Sequence, residues 1–214
     1  MMTFGLDSAV ACATDAVDRL HSTAESHRRV MVLEVIGRYA GWIAIYAGLA
    51  GGADVILIPE IPFNYETICN KVGEREQAGN HFTIVVVAEG ARPAGEDFVT
   101  SGEQSDNREA RLGGIGAQVE AEIHKRTWKE TRSIVLGHLQ RGGSPTNMDR
   151  ALCTIFGTKA VELIAEKTFG QIVAFTGSQI TGVRLSEATG QLRTVPLDGG
   201  LVTAARSLGI CLGD

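Results

Sequence analysis

The feature that most constrains this chain is Val30-Met31-Val32-Leu33-Glu34-Val35-Ile36, an almost unbroken run of apolar β formers. A strand with one wet face alternates apolar and polar residues. A run this continuous suits a strand covered on both faces, as in a parallel sheet. The pattern recurs at Asp54-Val55-Ile56-Leu57-Ile58, stopped by Pro59 and Pro62, at Phe82-Thr83-Ile84-Val85-Val86-Val87-Ala88, and at Ser133-Ile134-Val135-Leu136. Helical stretches fall before and between these runs. Residues 7–20 place Val10, Ala13, Val17 and Leu20 at helical spacing, and 21–28 read as a polar connection. Residues 42–50 read as a short helix ended by Gly51-Gly52, and Asn64 as the N-cap of a helix to about Gln77, closed by Gly79. Residues 90–107, rich in Gly, Glu, Asp and Ser, read as an exposed loop; Leu112, Ile115, Val119 and Ile123 mark the next helix.

Strand alternating with helix is the signature of right-handed βαβ units, so the expected class is α/β, a mostly parallel sheet with flanking helices. The 26 glycines and 6% aromatic content fit its many tight turns better than an all-β sandwich. Beyond Pro145, the sequence predicts a helix over 148–165 and a strand over 171–175. A hairpin pairing 180–185 with 191–195 around Gly190 follows, then a helix over 201–208.

A net charge of −5 argues against a general nucleic-acid partner. Cys12, Cys69, Cys153 and Cys211 are scattered without a CxxC pair, so they read as reduced thiols, and no metal ligand is assigned. No stretch approaches the ~20 apolar residues of a membrane span, and the first residues lack signal-peptide features. A cytoplasmic protein without membrane contact is expected.

In open α/β sheets, ligands bind beyond the carboxyl ends of the strands. Here those ends lead into Gly37-Arg38-Tyr39-Ala40-Gly41, Pro59-Glu60, Glu89-Gly90-Ala91-Arg92 and Gly137-His138-Leu139-Gln140-Arg141-Gly142-Gly143-Ser144-Pro145. Arg141 offers a planar fork for phosphate oxygens, His138 a donor, and Glu89 an acceptor suited to hydroxyls. Gly137, Gly142 and Gly143 let backbone approach a ligand. Together they suit an anionic, hydroxylated ligand, a sugar phosphate. Glu60 and Arg92 are read as capping or ion-pairing groups.

Two long segments, Glu34-Val35-Ile36-Gly37-Arg38-Tyr39-Ala40-Gly41 and Gly137 to Pro145, resemble the E-V-M-G-R-x-x-G and G-H-x-Q-R-G-G-x-P motifs of the 6-phosphofructokinase family, in the family's order. Pro59-Glu60, Glu89 and Asp149-Arg150 also match, and Ala88 to Pro93 is similar to the bacterial branch with both ATP- and pyrophosphate-using members. The resemblance implies a phosphofructokinase-like fold: a substrate domain over residues 4–144, a segment over 145–195 returning to an incomplete donor domain, and a C-terminal helix and tail over 196–214. It implies that Ile36, Gly37 and Arg38 contact fructose 6-phosphate, Arg38 also stabilising charge on the transferred group. Glu89 would bind sugar hydroxyls, and His138, Leu139, Gln140 and Arg141 would hold the substrate. Arg29 and Arg132 would reach the 6-phosphate in a neighbouring subunit, so a homo-oligomer, dimer or tetramer, is implied.

The implied activity is phosphoryl transfer from ATP to the 1-hydroxyl of fructose 6-phosphate in glycolysis, with Mg2+ as cofactor. The family's G-G-D-x-x-G donor loop and T-I-D-N-D base segment have no counterpart among these residues, so an N-terminal truncation or misassigned start, an inactive isolated chain, and Mg2+ ligands outside it are expected. Residues 148–175 are then expected to leave an apolar face unburied. Where allosteric members carry effector-binding Arg and Lys, this chain has His21, Ala78, Asn80 and His81, which implies an unregulated enzyme. The alternatives are a pyrophosphate-dependent phosphofructokinase and a non-catalytic sugar-phosphate-binding subunit.

Overall fold

The computed structural model describes residues 3–100, 112–177, 179–190 and 192–214. They form two compact units: Val10–Gly142 with Thr194–Asp214, and Gly143–Arg193 with the N-terminal residues up to Ala9.

Helix α1 (Leu6–His27) leads into the larger unit, where β1 (Val30–Val35), α2 (Trp42–Ala50), β2 (Val55–Leu57), α3 (Tyr65–Gln77), β3 (Thr83–Ala88), α4 (Ile115–Thr127) and β4 (Thr131–Val135) follow. The strands make one parallel sheet in the order β2-β3-β1-β4. Every residue of β1 and β3 is buried, as their continuous apolar runs require. Met31, Leu33, Val35, Ile84 and Val86 join one core with Ala13, Val17 and Ala44. Val30, Val32, Val85 and Val87 join another with Ile68, Val119 and Ile123. Asn64 caps α3, its side chain accepting from the Glu66 amide at 2.8 Å.

Several elements depart from the sequence reading. Residues 21–27, expected as a polar connection, continue α1, because fully buried Ala24 extends the Val17 and Leu20 stripe. The helix stops at Arg28, which is left-handed at φ +53°. Strand β4 starts at Thr131, where pairing with Val30 begins, two residues before its apolar run. Of the expected loop, residues 101–107 lie outside the described residues. The C-terminal helix (Gly200–Ser207) belongs to this unit, and the chain then returns beside β2, Cys211 accepting from the Ile56 amide and donating to Asp54.

The smaller unit contains α5 (Asn147–Ala165), β5 (Gln171–Thr176), β6 (Gln179–Arg184) and α6 (Leu185–Ala188). The expected hairpin is corrected: β6 pairs antiparallel with β5, from Gln171 opposite Arg184 to Thr176 opposite Gln179. The close turn after Thr176, with Gly177 at φ +63°, makes this pairing local, and α6 removes the chain from extended geometry. Residues 192–195 are not a strand, and Gln191 lies outside the described residues. Met148, Ile155, Val161, Ile164 and Phe169 are exposed, the apolar surface expected over 148–175.

Asp149, 2% exposed in the first turn of α5, holds this unit's two helix starts together. It accepts from the Gly5 and Ser8 amides, each at 2.8 Å, and from the Ser8 hydroxyl. Burial pushes its carboxyl up, but the Ser8 hydroxyl and the two amides outweigh that and hold it below the usual range. Its folded pKa being depressed, its stabilisation is present above the unfolded value of about 3.9 and is lost as pH falls through the folded one. Asp149→Ala should destabilise by about 2–3 kcal/mol at pH 7. In urea titrations the gap to the parent should narrow near pH 3; a gap unchanged by acid would contradict the assignment.

Candidate functional site

Because β3, β1 and β4 are neighbours, the loops leaving their carboxyl ends gather at one sheet edge. The exit of β1 is held by side chains from the other two. The Ile36 amide donates to Gln140 Oε1 at 2.8 Å, and the Gly37 and Arg38 amides donate to Glu89 Oε1 at 3.1 and 2.8 Å. Successive backbone amides are thus caught by residues 104, 52 and 51 positions away. Arg38 is left-handed, φ +51°, a conformation strained for a side-chain-bearing residue. Gly90 presses on it: a Cβ at Gly90 would stand 1.9 Å from the Arg38 carbonyl oxygen.

The segment after β4, read as a ligand loop carrying His138 and Arg141 between glycines, is a 3-10 helix over Gly137–Arg141. It is launched by the Leu136 amide donating to Glu34 O and by the burial of Leu136 in the core. In a 3-10 helix residues three apart eclipse, so His138 and Arg141 project to the same side. Both are exposed, as is Leu139, whereas Gln140 is turned inward and buried. The Gln140 Nε2 group is buried with no hydrogen-bond partner. Among the described residues the edge carries Arg38, Arg141 and His138 with two carboxylates: Glu89, whose Oε1 is engaged by two amides, and Glu60, which accepts from the Gly41 amide of the same β1 exit loop. Arg38, Arg141 and His138 offer donors for an anion, and Glu89 Oε2 remains an acceptor for a hydroxyl.

Arg29 and Arg132 lie elsewhere. Arg29 precedes β1 and Arg132 is the second residue of β4, both at the amino end of the sheet, so the six-residue length of β1, about 20 Å at ~3.3 Å per residue, separates Arg29 from the Arg38 edge. The register that pairs Val30 with Thr131 brings the two arginines together. Both reach Glu130 Oε1, each at 2.9 Å.

Glu60 and Arg92 act as the capping groups they were read to be. Glu60 accepts from the Gly41 and Val195 amides, and Arg92 donates to Glu96 O and lies over the Phe98 ring. His21 sits 2.7 Å from Gly51 O and edge-on to Phe82. One residue escaped a role in the sequence reading. Glu34, 2% exposed within β1, accepts from the Gly114 and Gly116 amides at 3.2 and 2.8 Å, at the start of α4. Its signals were a lone acid inside a continuous apolar run and its place at the head of the E-V-M-G-R-like segment.

A family model described as phosphofructokinase matches residues 1–164. The chain is 56% identical over 212 residues, 99% of its length, to an ATP-dependent 6-phosphofructokinase of Chloroflexus aurantiacus, of which it covers 58%. It is 53% identical over 197 residues, 92% of its length, to a pyrophosphate–fructose 6-phosphate 1-phosphotransferase of Amycolatopsis mediterranei, again covering 58%. The phosphofructokinase structure from Saccharomyces cerevisiae superimposes on 87% of the chain, with a TM-score of 0.73 and 34% identity, using 23% of its own length. The chain thus spans somewhat over half the length of the curated relatives it matches.

Proposed function

The chain belongs to the phosphofructokinase family, and from that premise we propose that the edge formed by the loops after β1, β3 and β4 binds fructose 6-phosphate as the acceptor in a phosphoryl transfer. The observation that carries the proposal is the capture of the Ile36, Gly37 and Arg38 amides by Gln140 and Glu89, which ties separate strand ends into one site.

Each group has a task. Ile36, Gly37 and Leu139 line the sugar, Glu89 Oε2 accepts from a hydroxyl, and His138 and Arg141 donate to the substrate from their shared face. Arg38 stands where charge grows on the transferred phosphoryl group as the 1-hydroxyl attacks it, and neutralising that charge is the main way proteins accelerate the step. No residue of this chain is assigned the proton of the 1-hydroxyl. Arg29 and Arg132 would serve the phosphate of a substrate held by another copy, in a cytoplasmic homo-oligomer.

ATP is the proposed donor; the 53% identity to an enzyme named for pyrophosphate favours pyrophosphate as the second reading. Mg2+ would accompany either donor. Among the described residues no three His, Cys, Asp or Glu side chains converge as a metal site, so none of them is assigned as a ligand to it.

Calorimetry with fructose 6-phosphate and with unphosphorylated fructose tests the site. Fructose should bind at least about 100-fold more weakly, having lost the charge-assisted contacts. Equal affinities, or no binding of fructose 6-phosphate, would sink the reading. Coupled assays with ATP and pyrophosphate side by side address the donor.

A further inference from the structure

We infer that Arg29, Glu130 and Arg132 form a phosphate-monoester receptor held shut by its own carboxylate, so that Glu130 sets how tightly a sugar phosphate is bound. This rests on the reading of Arg29 and Arg132 as phosphate-binding groups. The two arginine Nη2 atoms converge on the single oxygen Glu130 Oε1 at 2.9 Å each. Each guanidinium gives a single Nη2 to that oxygen, so neither makes the two parallel bonds that an arginine makes with a carboxylate or with a phosphate, and a larger anion with more oxygens can engage both more fully. The receptor is pre-formed. Arg132 Nη1 donates to Thr131 O, the Arg29 backbone is held by Ala24 and Thr83, and Glu130 O accepts from the Val30 amide. Arg29 Nε is buried without a partner, so a donor remains unused while the carboxylate is in place.

The cluster is also accessible. Arg132 and Thr131 line a cleft of about 330 Å3 between α4 and β4, with Ala117, Glu120, Ala121 and His124. The Arg132 and Glu130 side chains are 56% and 44% exposed, so the ion pairs that close the receptor are solvent-screened and weak. A phosphate dianion entering the cleft competes with a carboxylate of lower charge, and the displaced Glu130 swings into water.

Glu130 held only as a structural strut would predict the opposite effect from its removal. A strut's loss disorganises the arginines and weakens anion binding, whereas a stand-in's loss strengthens it. Calorimetry on the full chain, with fructose 6-phosphate and with inorganic phosphate as probes, separates the two. Glu130→Gln keeps the size and an acceptor but removes the charge, and it should tighten both ligands by about two- to five-fold, the range expected for a screened ion pair. In 0.5 M NaCl the gain should shrink. Arg132→Ala should weaken both. If Arg132→Ala binds like the parent, the arginines are not phosphate groups and the underlying reading fails. If Arg132→Ala is weakened while Glu130→Gln is unchanged or weaker, the receptor is not held shut and this inference fails alone. Binding of inorganic phosphate by Glu130→Gln where the parent binds none supports it; no binding of either probe by either protein overturns both. An unchanged thermal midpoint for Glu130→Gln checks that the fold is unaffected.

Discussion

Arg38→Ala should weaken fructose 6-phosphate binding by about 100-fold or more while leaving thermal stability nearly unchanged. Arg38 is exposed, and no core packing is lost with its side chain. Its backbone, however, is unusual. A residue bearing a Cβ at φ +51° costs roughly 1–2 kcal/mol relative to ordinary geometry. Glu89 takes the Gly37 and Arg38 amides, Gln140 takes Ile36, and Gly90 leaves no room behind the Arg38 carbonyl. Strain that is over-determined by its surroundings points to a use for the strained residue. If that use is a guanidinium on phosphate oxygens, two charge-assisted bonds are lost in the alanine variant, enough for about two orders of magnitude. Arg38→Gly sharpens the test, because glycine adopts this φ freely and should hold or raise stability while binding is lost. Arg38→Lys should recover only part, since a point charge does not reproduce the fork. Affinity within about three-fold of the parent in Arg38→Gly would remove Arg38 from the site.

The sheet was legible because a strand buried on both faces has to be apolar at nearly every position, and residues 30–36 and 82–88 leave no helical alternative. The α3 boundaries were equally plain, since Asn64 and the glycine at 79 are local signals. What failed was non-local. Nothing near residue 24 says that the stripe of α1 continues under polar neighbours; that depends on what packs against Ala24. The β5–β6 register was missed because residues 191–195 look as extended as 171–176, and the turn after Thr176 decides between them. For the site, a parallel sheet dictates that strand-end loops share an edge, so Arg38, Glu89, His138 and Arg141 could be grouped before any coordinates. That Glu89 and Gln140 hold backbone, and that Glu34 caps the start of α4, could not be read. Each bond spans 51 residues or more, and a carboxylate looks the same in sequence whether it meets a sugar or an amide.

Gly90→Ala should harm both fold and site, by about 2–3 kcal/mol of stability and by ten-fold or more in affinity. The backbone of Gly90 does not require glycine, since it lies outside the positive-φ region. Its hydrogen is required by space alone: an added Cβ would meet the Arg38 carbonyl oxygen at 1.9 Å, the Arg38 carbonyl carbon at 3.0 Å and Pro59 Cγ at 3.2 Å. The first contact must open by more than 1 Å, and its partner is backbone, not a side chain that can rotate away. Gly90 itself cannot retreat easily, because the adjoining Ala91 is fully buried and its amide is fixed to Ala88 O at 2.8 Å. Overpacking of this kind costs about 1–3 kcal/mol, and here the relief falls on Arg38, whose position the site needs. A shift of about 1 Å in Arg38 is enough to cost an order of magnitude or more in a phosphate contact built on geometry. The control is Gly73→Ala, in the middle of α3 with nothing within 4 Å of the added Cβ, which should raise stability by about 0.5–1 kcal/mol and leave binding alone. Urea titration and calorimetry on both variants separate a cost to folding from a cost to the site. If Gly90→Ala lost stability but bound fructose 6-phosphate as tightly as the parent, the Arg38 carbonyl would not be the element that yields, and the placement of Arg38 would not depend on this contact.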